Sequence, residues 1–175
     1  MKGLCVEDRR ERIMTLSRMN RGRAIQPAFL AELSAALSSP IAPNQLLDLA
    51  QTDSVRALLS DGYRAVLENR QPSFRKFFSK KQESHLLYLI DCLALRLGSE
   101  RAMLHVKNSY LCGAVLSEAD KVLRHPKEVI NLDGDSLNIL SADKQQGIIL
   151  DFNPDEDEEH YELSIWGDRW SLAII

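Results

Sequence analysis

Residues 82–97 carry the most regular hydrophobic pattern in the chain. Leu86, Leu89, Ile90, Leu93 and Leu97 recur at helical spacing, and Leu87, Cys92, Ala94 and Leu95 add apolar positions on the other sides. A helix apolar nearly all round sits at the centre of its domain. Gly98 follows where a left-handed C-cap belongs. Upstream, residues 7–19 set Ile13, Met14 and Leu16 against a dense polar face, and Asn20-Arg21-Gly22 marks their end. Residues 27–37 place Phe29, Leu30, Leu33 and Leu37 on one stripe, with Pro27 in the first turn, where its missing N–H is harmless. Asn44 suits the cap of a short helix through Leu46, Leu47 and Leu49. Thr52 or Asp53 suits the next, through Val55, Leu58, Leu59, Tyr63, Val66 and Leu67. Residues 73–78 read as a short turn that buries Phe74, Phe77 and Phe78.

After Gly98 the period changes from helical to alternating. Residues 102–106 read as a strand and 117–124 as a helix capped by Ser117. Four β segments follow, at 128–132, 136–140, 147–152 and 160–166, with Asp133-Gly134-Asp135 as a tight turn between the first two. Connections this short favour an antiparallel meander over crossovers. The expected fold class is therefore α+β in a single domain over residues 1–175: an N-terminal helical layer (1–98), then a mostly antiparallel β-meander (99–175), with helix 82–97 shared.

Composition narrows the class without naming a reaction. At 175 residues, with 45% hydrophobic and 27% charged positions, the chain has the make-up of a globular domain with a core of its own. Cys5, Cys92 and Cys112 are too few and too scattered for a disulfide framework or a four-cysteine zinc site. The start of the chain runs directly into Glu7-Asp8-Arg9-Arg10-Glu11-Arg12, unlike an export signal. The apolar run 86–97 contains Asp91 and Arg96 and is too short to span a bilayer. A cytoplasmic, reducing setting is expected, with no membrane partner.

Charge changes the picture more. The net charge of −3 conceals a split: residues 1–130 hold 20 Lys and Arg against 14 Asp and Glu, and residues 131–175 hold 2 against 11. The two parts therefore carry +6 and −9. Arginines 9, 10, 12, 18, 21 and 23 crowd the N-terminus, and Arg70, Arg75, Lys76, Lys80 and Lys81 form a second basic cluster. The acidic part peaks at Asp155-Glu156-Asp157-Glu158-Glu159. Such a field steers charged partners. The plainer alternative is an intramolecular match of basic helices to acidic strands.

Motifs that carry chemistry are sparse. His85, His105, His125 and His160 never fall at ligand spacing, so no metal or other cofactor is expected. Asn153, Asp155 and Asp157 mimic the start of a calcium loop, but Glu158 and Ser164 stand where Gly and Glu are needed. There is no phosphate-binding glycine loop and no Gly-x-Ser-x-Gly elbow. Cys92 and Cys112 read as buried structural thiols. A long polyanion is opposed by the acidic C-terminal part, so no nucleic-acid partner is expected.

The remaining signal is the acidic segment and the aromatic stretch after it, Tyr161 to Trp170. Tyr and Trp are enriched at interface hot spots, and clustered carboxylates supply steering. The candidate partner-binding residues are Asp133, Asp135, Asp151, Asp155, Glu156, Asp157, Glu158, Glu159, Trp166, Asp168 and Trp170. The alternative for Trp166 and Trp170 is that they close the sheet against the helices. Leu132-Asp133-Gly134-Asp135-Ser136, the strand end Gly147-Ile148-Ile149-Leu150-Asp151 and the closing Tyr161-Glu162-Leu163-Ser164-Ile165-Trp166-Gly167 resemble immunity proteins. These are the small antitoxins encoded beside bacterial polymorphic or contact-dependent growth-inhibition toxins. The resemblance spans about residues 86–170 and leaves the basic N-terminal helices unexplained. It implies a non-enzymatic cytoplasmic protein that neutralises a cognate basic toxin domain, a nuclease being the natural target. Two other readings stay open: a protein-interaction adaptor using the same acidic face, and a small hydrolase using Asp151, Glu162 or Asp168.

Overall fold

A computed structural model describes the backbone of residues 6–174 except 155–158, with side chains from residue 9 onward. Its strands are β1 (Ser73–Ser79), β2 (Arg101–His105), β3 (Val115–Glu118), β4 (Ser136–Ser141), β5 (Gly147–Asn153) and β6 (His160–Trp166). They form one sheet in the order β1-β6-β5-β4-β2-β3, and every neighbouring pair is antiparallel. The helices are α1 (Val6–Ala36), α2 (Leu49–Leu67), α3 (Glu83–Leu97), α4 (Ser109–Cys112), α5 (Ala119–Leu123), α6 (Pro126–Asp133) and α7 (Asp168–Leu172). The α+β class holds, with helices first and the β4-β5-β6 meander last. No described helix is long and apolar enough to cross a membrane.

Alternation along the strands divides the core in two. One face turns Leu104, Leu137, Ile139, Ile148, Leu150, Leu163 and Ile165 onto a large cluster with Leu33 of α1, Leu86, Ile90 and Leu93 of α3, Val129 of α6 and Trp170 of α7. The opposite face turns Met103, Leu140, Ile149 and Trp166 onto Val55, Leu59 and Val66 of α2. The sheet is thus covered on both sides, with α2 and the preceding Leu47 on the second.

Several sequence expectations are corrected. The helices expected at 7–19 and 27–37 are one, α1, with Pro27 inside it. Gly22 is not a stop: a Cβ there would overlap the Leu111 carbonyl, so its bareness lets α4 pack closely. The expected strand 128–132 is helix α6. Pro126 opens it, and Val129 and Ile130 are buried while Lys127, Glu128 and Asn131 face solvent. Residues 73–78 form strand β1 rather than a turn. Alternation buries Phe78 fully, leaves Phe77 half exposed and keeps Phe74 between them. The span 117–124 divides into β3 and α5, and 44–49 holds only the short 3-10 turn Pro43–Gln45 before α2. Asp48, not Thr52 or Asp53, caps α2: its carboxylate accepts from the Gln51 N–H at 2.7 Å, and Gln51 Oε1 accepts from the Asp48 N–H at 3.2 Å.

Trp166 fixes the seat of α2. Its indole lies where a Cβ on Gly62 of α2, or on Gly147 of β5, would stand. Gly62 weakens a helix by about 1 kcal/mol relative to Ala, yet it lets the helix lie on the ring. Gly62→Ala therefore lowers stability by about 1–3 kcal/mol through overpacking, despite the gain in helix propensity. Denaturant unfolding checks this, and an unchanged or raised midpoint contradicts it.

Candidate functional site

The face of the sheet under α2 grades from apolar to polar, and the register fixes the gradient. One row across the strands reads Ser73, Trp166, Gly147, Leu140, Met103, Leu116. Two residues along, the row reads Arg75, Ser164, Ile149, Asn138, His105. Two further, it reads Phe77, Glu162, Asp151, Ser136. The helix covers the first row, and the last holds two carboxylates directly opposite each other on β5 and β6. Directly opposed like charges destabilise a sheet unless something compensates them.

Only Glu162 is compensated. It is buried, and it accepts from Arg75 Nε at 2.6 Å, from the Tyr63 hydroxyl at 3.2 Å and from the Ser164 hydroxyl at 3.2 Å. Burial alone pushes its carboxyl upward, but the Arg75 hydrogen bond and charge outweigh that, and the net shift is downward. Arg75 reaches it because β1 pairs with β6.

Asp151 has no such cation. Among the described residues no Lys or Arg lies within ion-pair distance of Asp133, Asp135, Asp151 or Asp168. Burial, then the charges of Glu162, Asp135 and Asp133, push the half-buried Asp151 carboxyl up to about 6. Asp133 and Asp135 belong here because the chain turns from α6 into β4 at Gly134, whose φ of 112° suits glycine. Asp133 accepts from the Ser136 hydroxyl at 2.6 Å, and the Asn138 amide donates to Ser136 Oγ at 2.8 Å. His105 closes the group: burial pushes its imidazole downward, and its buried Nε2 has no hydrogen-bond partner among the described residues.

The structure sorts the sequence-derived candidates into four groups. Asp133, Asp135 and Asp151 are brought together at the polar end of the sheet. Asp168 lies apart at the start of α7, exposed, and Glu159 sits beside Lys80 at 3.9 Å. Asp155, Glu156, Asp157 and Glu158 lie outside the described residues. Trp166 and Trp170 are corrected: at 3% and 0% exposure they close the sheet against the helices and offer no contact surface. Apolar aromatics at alternating positions near a chain end go to the core when a sheet face is waiting for them.

Sequence reasoning missed Arg75, Tyr63 and His105 as parts of this site. Alternation places Arg75 and Phe77 on one face once β1 is known to be a strand, and no signal in the chain pairs β1 with β6. The intramolecular match of charges is also different from the one anticipated. Arg18 pairs with Asp53 at 2.7 Å, whereas the carboxylates of the C-terminal part meet Arg75, Lys80 and Arg169, the last at 2.9 Å from Asp143. Among the described residues no group of three His, Cys, Asp or Glu is placed to hold a metal ion. Cys112 is buried, and burial pushes its thiol upward. No family model matches the chain, and no curated protein or solved structure is significantly similar to it.

The Asp151 shift fixes the sign of a pH effect. Its folded carboxyl holds a proton more tightly than the unfolded one, so this contribution to stability is complete below pH about 4 and is lost as pH rises through about 6. Asp151→Asn removes the loss. The variant unfolds at a higher temperature than the parent at pH 8, and the advantage disappears by pH 4. Thermal melts across that range check it, and an Asn variant less stable than the parent at pH 8 contradicts it.

Proposed function

We propose that this protein is an immunity-type inhibitor, which neutralises a cognate toxin domain by presenting carboxylates to its basic surface. The observation that carries the reading is the convergence of Asp133, Asp135 and Asp151 with no Lys or Arg of the described residues at ion-pair distance. Such a group holds Asp151 in an unfavourable state at neutral pH. A Lys or Arg delivered by a partner relieves that state and is drawn in by the field. Phosphate-binding sites are rich in such side chains, which makes a nuclease domain the natural target. Charge supplies steering and partner choice, and the exposed Phe77 beside Glu162 supplies apolar area at the rim. The bacterial cytoplasm is the compartment in which this function operates.

A second reading is favoured by one observation. Glu162 is held ionised while Asp151, directly opposite, takes up a proton near neutral pH. Two carboxyl groups whose environments push them apart are the usual arrangement for an acid and a base. This is the hydrolase alternative, with Asp151 as the proton carrier and Glu162 as a fixed charge.

Capture separates the two. The tagged full-length chain, bound in lysate of its native cell, retains one basic protein that elutes as salt rises. The variant Asp133→Lys, Asp135→Lys, Asp151→Lys associates at least about tenfold more slowly and does not protect cells that express the captured protein. A variant that captures and protects as well as the parent overturns the inhibitor reading. Turnover of a model ester or phosphodiester, abolished by Asp151→Asn, supports the hydrolase instead.

A further inference from the structure

The sheet ends at β3, and the segment before α2 covers the first half of its outer edge. Leu46 bridges Val115, the Leu47 N–H donates to the Ala114 carbonyl at 2.8 Å, and Gln45 Nε2 donates to the Leu116 carbonyl at 3.3 Å. Beyond Leu116 a cleft of about 390 Å³ opens beside Ser117 and Glu118. Ser39, Pro40 and Ile41 form one wall, where the chain has left α1 through Ser38 at a φ of 47°. Ser99, after α3, and Arg101, at the start of β2, form another, and Lys121 of α5 completes it. A volume of this size suits a small organic molecule.

The polar groups of the cleft are uncommitted. Ser117 is only 7% exposed, and its hydroxyl has no hydrogen-bond partner among the described residues. Alternation turns it to the face of Val115, on which Ile41 also packs. Buried hydroxyls are nearly always satisfied, so an open one in a cleft wall calls for a ligand atom. Arg101 makes no ion pair among the described residues, although Glu118 stands directly opposite it across the strands. Glu118, the one carboxylate on the cleft's wall among the described residues, is held instead by Lys121 at 3.1 Å. We propose that the cleft binds a small carboxylic acid as its monoanion: Arg101 takes the carboxylate, Ser117 donates to it, and Pro40, Ile41 and Leu116 border the carbon skeleton. The planar fork of an arginine matches two carboxylate oxygens. Charge selects a singly charged ligand, because one cation is uncommitted and Glu118 repels a dianion such as a phosphate monoester. The cleft lies at the opposite end of the strands from the acidic group: Ala102 pairs with Ser141, whereas Asp151 pairs with Ser136.

The site shares no residue with the toxin reading, and it needs no toxin to test. Acetate, lactate and N-acetylglycine are titrated into the purified full-length chain, and the amide signals of Arg101 and Ser117 are followed by nitrogen–proton correlation NMR. At least one acid shifts both signals saturably below about 50 mM. N-acetylglycinamide, of the same shape without the charge, does not. Arg101→Gln weakens binding at least about tenfold, and Ser117→Ala weakens it about two- to fivefold. Both variants keep the melting temperature of the parent, because neither side chain loses a partner within the fold. Saturation by none of the three acids overturns the inference, as does an amide that binds as tightly as its acid or an Arg101→Gln variant that binds like the parent. Inorganic phosphate binding more tightly than the acids overturns it too, and assigns the cleft to phosphate.

Discussion

Two carboxylates opposite one another on adjacent strands, with a cation for only one, are the constraint from which the rest of the site follows. The β5–β6 register sets Asp151 beside Glu162, and the β1–β6 register brings Arg75 to Glu162 alone. Arg75 reaches Glu162 through its Nε, and neither it nor any other described Lys or Arg lies within ion-pair distance of Asp151. The remaining charge is therefore carried by Asp151, with Asp133 and Asp135 added by the turn out of α6. A fold selected for stability alone removes such a charge cheaply, by one Asn.

Packing and electrostatics are joined through α2. Trp166 beneath Gly62 and Gly147 seats the helix over the apolar rows of the sheet. Tyr63 then reaches from the same helix to Glu162. Where the helix ends its cover, the sheet is left with its polar row. Asp151 thus sits on a β-strand whose other face is buried in the main core, and Asp133 and Asp135 flank it from the turn between α6 and β4, a mount suited to presenting charge in a fixed pattern.

Much of this was legible from residue order. Strand β6 was read with its observed bounds, and α3, β2, β4 and β5 within a residue or so, because period and turn chemistry agreed there. Elements failed where local signals conflict with packing. Asn20-Arg21-Gly22 looks like a helix end until α4 is found against Gly22, and Val129-Ile130 looks like a strand until Pro126 is seen to open a helix. Asp133, Asp135 and Asp151 were nameable from charge alone. Their company was not, since Arg75, Tyr63 and His105 join them only through strand pairings between distant parts of the chain. Trp166 and Trp170 were misplaced for the converse reason: aromatic composition reads the same at an interface and in a core.

The charge split along the sequence also takes on a spatial meaning. Among the described residues, none of the arginines of α1 pairs with a carboxylate of the C-terminal part. Arg18 is spent on Asp53, while Asp133, Asp135 and Asp151 make no ion pair among the described residues. The molecule therefore carries two separate surfaces of different character.

The most direct measurement is a pH titration of the side-chain carboxyl carbons of Asp151 and Glu162 by NMR. An uncompensated Asp151 beside a compensated Glu162 gives a midpoint of about 6 for Asp151 and one below the ordinary glutamate range for Glu162. An Asp151 that titrates at about 4, as a solvated aspartate does, contradicts the account at its root.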